Sequence, residues 1–106
     1  MPTVAKEYEN FVSNIFVYDD GVIKGFIQIE NTEIKKLFVE PIFQNLGIGS
    51  ILLDYAIQKH NADRLWALEK NIGAISFYEQ HNFQTTSIKK LVEGANEYLI
   101  FLKRQF

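Results

Sequence analysis

The sequence has no cysteine. That absence removes disulfides, thiolate catalysis and most structural zinc sites together. Two histidines, at positions 60 and 81, are too few and too scattered for a metal site, so no metal is expected. No stretch approaches the ~20 apolar residues of a membrane span, and the first residues show no basic-then-apolar signal. The expectation is therefore a protein of the cytoplasm with no membrane role. Neither sign of charge prevails: 11 Lys and Arg stand against 13 Asp and Glu, and the basic residues form no block. Nucleic acid is not an expected partner. Repeats and low-complexity segments are also missing. What the chain does have is 47% hydrophobic residues, with nine Phe and five Tyr among its 106 residues. Those numbers suit one domain over residues 1–106 with an aromatic core.

Residues 1–14 are weakly patterned, with Tyr8, Phe11 and Val12 able to line a short helix. Residues 15–18 are β-branched and aromatic and are stopped by Asp19-Asp20-Gly21. Asp-Gly between two such runs predicts a hairpin, because that turn needs positive φ. The returning strand, residues 22–29, carries Gly25, which permits a bulge or a close approach by another backbone. Glu30-Asn31-Thr32 predicts a second turn, and residues 34–39 a third strand, ended by Pro41. The period then changes. Ile48, Ile51, Leu52, Tyr55 and Ala56 follow the spacing of an amphipathic helix, widened by Leu53 and Ile57 and ending near His60-Asn61. A short strand over 64–68 follows, and a strand–helix–strand passage implies parallel pairing. Asn71 caps a second helix running to about His81, with Asn82 as a left-handed stop. Residues 83–89 and 98–102 close the chain as a hairpin. The fold class is α/β, a single mixed, mostly antiparallel sheet with two main helices.

The most informative stretch lies between the third strand and the first helix. A loop with Gly47 and Gly49 opens a strongly apolar helix. A helix start exposes unsatisfied N–H groups and the positive end of the helix dipole. Glycine lets an anion come close to those groups, and a pyrophosphate is the natural guest. A Walker-type loop is excluded, since the required Lys is missing. A dinucleotide fingerprint lacks its third glycine and its ribose-binding acid. By itself, a glycine-rich helix start also serves simple packing.

The stretch Gln44-x-x-Gly47-x-Gly49, preceded by Leu37-Phe38-Val39-x-Pro41, resembles the acetyl-CoA signature of the GNAT N-acetyltransferase superfamily. A second family signature follows in order: Asn71, Ala74, Phe77, Tyr78 and Phe83. The likeness covers about residues 15–102. It implies a splayed pair of parallel strands, with Leu37, Phe38 and Val39 on one side of the gap and residues 64–68 on the other. The pantetheine arm of acetyl-CoA, a co-substrate, would lie in that gap. It further implies that backbone N–H groups of Gln44, Asn45, Leu46, Gly47, Ile48, Gly49 and Ser50 hold the pyrophosphate. Asn71 would contact the pantetheine arm beside Ala74 and Phe77. Tyr78 would be the general acid at the thioester sulfur, and Glu33 the base, unless water takes that role.

The resemblance also implies an N-terminal strand and two helices that about 14 leading residues cannot supply. The acceptor side is then open, completed by a partner subunit, or absent, and a homodimer is expected. Two functions stay open: transfer of acetyl to the primary amine of a small molecule or peptide, or a non-catalytic acyl-CoA-binding module that senses or assists.

Overall fold

The Asp19-Asp20-Gly21 turn forms as its residue types require. Gly21 takes φ +108°, and its N–H donates to Asp19 Oδ1 at 2.8 Å. An Asp side chain that accepts from the backbone two residues on is a common turn device. The turn joins β2 (Asn14–Asp19) to β3 (Ile23–Glu30), and Asn31, at φ +55°, turns β3 into β4 (Glu33–Val39). The structure is a computed structural model that describes residues 3–9 and 14–104. It contains two compact units, Met1–Ala62 and Asp63–Phe106.

In the first unit the strand order is β1-β2-β3-β4, with every neighbouring pair antiparallel. β1 (Thr3–Glu9) corrects the sequence reading, which placed no strand there. Its register against β2 skips Glu7, since Lys6 faces Phe16 and Tyr8 faces Ile15. A one-residue shift in register breaks the period-2 pattern by which a strand is read from sequence. The expected helical positions Phe11 and Val12 lie outside the described residues.

A 3₁₀ turn over Pro41–Phe43 leads to α1 (Ile48–His60). The helix lies against β2, β3 and β4 and buries Ile48, Leu52, Leu53 and Ala56. Ile51, expected on that face, is 43% exposed instead. The buried stripe is therefore turned toward Leu53, and Ile27, Ile29 and Ile34 on β3 and β4 are buried as well. Leu52 is fully buried. Leu52→Ala is expected to cost about 2–5 kcal/mol, read as a lowered midpoint in urea denaturation. Asn61, at φ +55°, ends the helix, and its N–H donates to Ile57 O at 3.1 Å.

The second unit holds β5 (Arg64–Leu68), α2 (Ile72–Glu79), β6 (Phe83–Leu91) and β7 (Tyr98–Arg104). β7 lies between β5 and β6, antiparallel to both. α2 stops at Glu79, two residues short of the expected end. His81 N–H bonds to Tyr78 O and Asn82 N–H to Glu79 O, a tightened closing turn. Asn82 takes φ +70°, as a left-handed stop should. β6 runs longer than expected because it is bulged. Thr85 faces Leu102 and Lys89 faces Ile100, so residues 86–88 oppose Phe101 alone. The Thr86 hydroxyl fills the gap: it donates to Phe101 O at 2.8 Å and accepts from Ile88 N–H at 3.2 Å. Among the described residues, no helix is long and apolar enough to cross a membrane.

Candidate functional site

The C-terminal end of β4 is pinned from two sides. On β3, Gly25 faces Val39, and a Cβ there would stand 2.6 Å from Phe38 O and 3.2 Å from Val39 Cα. No side chain fits, so glycine is required by close approach, as the sequence suggested. From the loop, Gln44 Nε2 donates to Val39 O at 3.0 Å. The Gln44 side chain is thereby a brace between the strand end and the loop. Its own N–H donates to Pro41 O at 3.3 Å and closes the 3₁₀ turn. The Gln44 N–H is thus already bonded within the turn.

Asn45 and Gly47 both take positive φ, +67° and +84°. Left-handed residues followed by helical ones turn successive N–H groups toward one side, a backbone nest suited to anions. Gly47 is the residue before α1, and no side chain caps the helix there. The first intrahelical bond runs from Ile51 N–H to Gly47 O at 3.1 Å, so Ile48 and Gly49 N–H have no acceptor within the helix. The first turn carries no acid. A Cβ on Gly47 would meet nothing within 4 Å, which means that space is open and the backbone conformation alone demands glycine. Leu46, 66% exposed, holds no place in the core. The first turn of α1 thus presents N–H groups with no carboxylate of its own beside them.

On α2, Asn71 is the N-cap: its Oδ1 accepts from Ala74 N–H at 3.0 Å. The amide NH₂ of Asn71 is left with both donors, so capping and ligand contact use different atoms. Tyr78 is 9% exposed, its ring packed edge-on against Phe77 and Phe83 at centroid distances of 5.3 and 5.8 Å. Phe77 also touches the His81 ring, at 5.0 Å. Burial pushes the Tyr78 hydroxyl from 10.0 up to about 12, because an apolar setting disfavours the phenolate. At neutral pH Tyr78 is therefore a proton holder and never a base. A folded-state value above the unfolded one adds stability that is complete below pH 10. That stability is lost as pH rises through about 12. Tyr78→Phe is expected to remove this alkaline loss, checked by comparing unfolding midpoints of both chains between pH 9 and pH 11.

Glu33 opens β4, at the end away from the loop. Lys35 bridges it at 3.2 Å and Glu30 at 3.9 Å, with all three side chains partly exposed. Glu69 is paired with Lys89. The site residues thus fall into two groups. Leu37, Phe38, Val39, the loop and the start of α1 to Ser50 follow one another in the first unit, while Asn71 caps α2 and Ala74, Phe77 and Tyr78 lie on it. Sequence reasoning missed Lys24, whose ammonium lies 4.7 Å from the centroid of the Phe43 ring in the 3₁₀ turn. The spacing Asp20-x-x-x-Lys24 was its only signal. Among the described residues, no group of three or more His, Cys, Asp or Glu could hold a metal ion.

The model of the acetyltransferase (GNAT) domain family matches residues 12–85. A peptidyl-lysine N-acetyltransferase of Escherichia coli, YiaC, is 33% identical over 84 residues, which are 78% of this chain and 58% of YiaC. The chain thus spans a little over half the length of that relative. Among solved structures, a Bacillus subtilis acetyltransferase in complex with CoA matches 100% of this chain and 99% of its own, at 14% identity and TM-score 0.80. A Bacillus anthracis acetyltransferase in complex with acetyl coenzyme A matches 92% of this chain and 65% of its own, at 23% identity and TM-score 0.78. These two likenesses carry the fold: mixed α/β, a mostly antiparallel sheet and two main helices, as the sequence predicts. With the glycine loop, the Asn71 cap and a domain match covering most of its length, the chain belongs to the GNAT acetyltransferase family.

Proposed function

We propose that the chain transfers acetyl from acetyl-CoA to a primary amine by direct attack. The observation that carries this reading is the start of α1. There two glycines, a positive-φ pair and uncapped N–H groups form an acid-free anion seat in a chain of the GNAT family. Backbone N–H groups of Asn45, Leu46, Gly47, Ile48, Gly49 and Ser50 hold the pyrophosphate. Leu37, Phe38 and Val39 border the pantetheine arm, and Asn71 donates an amide N–H to it.

In the reaction a C–N bond forms between amine and acetyl carbon, and the C–S bond breaks. A lysine-like amine has pKa ≈ 10.4, so presenting it neutral at pH 7 costs about 4.6 kcal/mol. Its proton passes to Glu33 or to water. Lys35 already holds Glu33 Oε2, which leaves the second carboxylate oxygen for that task. Tyr78 donates its hydroxyl proton toward the departing sulfur, and CoA leaves as the thiol. The name of the E. coli relative favours a lysine-type amine as acceptor.

The test is thiol release from acetyl-CoA in the presence of a panel of small amines and lysine peptides. One thiol per acetylated amine, dependent on the amine, supports transfer. Tight acetyl-CoA binding with no amine-dependent release across the panel would favour an acyl-CoA-binding module instead.

A further inference from the structure

Residues 40–58 contain no Lys or Arg and two acids, Glu40 and Asp54. The loop assigned above to a pyrophosphate therefore brings no side-chain cation of its own. One arrives from β3. In the pairing with β2, Tyr18 faces Gly25 and Asp19 faces Ile23, so Lys24 is the extra residue of a bulge. Bulges re-aim side chains, and this one sends Lys24 to the residues just before the loop. Its carbonyl accepts Glu40 N–H at 2.8 Å, and its ammonium lies 4.7 Å from the Phe43 ring centroid. The ammonium also donates to Asp20 Oδ2 at 2.7 Å. That hydrogen bond holds the Asp20 carboxyl below its usual range. The Lys24 side chain is 21% exposed. Asp20 takes one of the three ammonium donors.

We infer that Lys24 is the side-chain cation of the phosphate loop, placed by the β3 bulge to attract the phosphate groups of coenzyme A. The inference rests on the reading of the loop as a coenzyme A site. Asp20 and the Phe43 ring fix where the charge sits, and the loop backbone supplies the hydrogen bonds. Lys24 acts on binding and not on the transfer step.

The test is calorimetric titration of acetyl-CoA into the wild-type chain and into Lys24→Met, Lys24→Arg and Asp20→Asn, at low and high salt, with turnover measured at saturation. Methionine keeps the apolar stem against Phe43 and removes the charge. Lys24→Met is expected to bind roughly 3–10-fold more weakly at low salt, with the deficit shrinking at high salt as screening predicts. Lys24→Arg should bind within about twofold of wild type, and kcat should not change in either. Asp20→Asn, which keeps the cation and removes its partner, should bind no more weakly. Wild-type affinity in Lys24→Met, an equal loss in Lys24→Arg, or a deficit insensitive to salt would each overturn the inference. If Lys24→Met does not fold, Asp20→Asn decides, and weaker binding there would mean a structural brace. A wild-type chain that does not bind acetyl-CoA overturns the acetyltransferase reading as well. Binding that is equal in wild type and Lys24→Met removes only Lys24.

Discussion

Tyr78→Phe is expected to lower kcat by about 10²-fold while leaving acetyl-CoA affinity unchanged, which places it at the low end for a lost general acid. The substitution keeps the ring that packs against Phe77 and Phe83, and it removes only the hydroxyl. The size of the effect follows from the acidities involved. A thiol has pKa ≈ 8.5, so a thiolate is a tolerable leaving group near neutral pH. The Tyr78 hydroxyl, at about 12, is the weaker acid by roughly 3.5 units. Full transfer of its proton to the thiolate is uphill by on the order of 5 kcal/mol. In the proposed mechanism Tyr78 therefore stabilises the developing sulfur charge mainly through its hydrogen bond, and the proton settles on sulfur late. Single-turnover kinetics with a saturating amine would measure the effect, and an unchanged rate would remove Tyr78 from the mechanism.

The double variant Gly47→Glu, Gly49→Glu is expected to abolish measurable acetyl-CoA binding. At Gly47 the backbone φ of +84° already disfavours any side chain, at a cost of about 1–2 kcal/mol. A larger effect is electrostatic. The first turn of α1 has no acid, and the substitutions put two carboxylates at the proposed pyrophosphate seat. Like charges about 4 Å apart near a protein surface repel by about 4 kcal/mol, which is close to a thousandfold in affinity. A Cβ at Gly47 meets nothing within 4 Å, so at that position the loss does not come from crowding the fold. A Gly47→Ala control separates the two contributions. It carries the backbone strain without the charge and should lose roughly tenfold or less. Binding that survives in the double variant would place the phosphates elsewhere.

Among the described residues, the two helices, six of the seven strands and the glycine loop were legible because their signals are local. Asp20-Gly21 turns, Pro41 ends a strand, Asn71 caps, Asn82 takes φ +70°, and each acts over a few residues. What escaped depends on partners distant in sequence. β1 is defined by its pairing with β2, and its register shifts between Lys6 and Tyr8. β6 extends to Leu91 only because Thr86 bridges a bulge against Phe101. The rotation of α1 that exposes Ile51 and buries Leu53 is set by the strands beneath it. In the site, the glycine pattern marked the helix start, and Gly25 carried a correct warning of close approach. The brace from Gln44 to Val39 and the placing of Lys24 beside Phe43 need tertiary geometry, so the motif could name Gln44 without revealing its bond.

The central claim is tested most directly by calorimetric titration of the wild-type chain with acetyl-CoA. The expected result is saturable binding of one acetyl-CoA per chain in the micromolar range, common for enzyme substrates, and its loss in the Gly47→Glu, Gly49→Glu variant. A folded wild-type chain that takes up no heat with acetyl-CoA at millimolar concentration, and shows no thermal stabilisation by it, would contradict the claim.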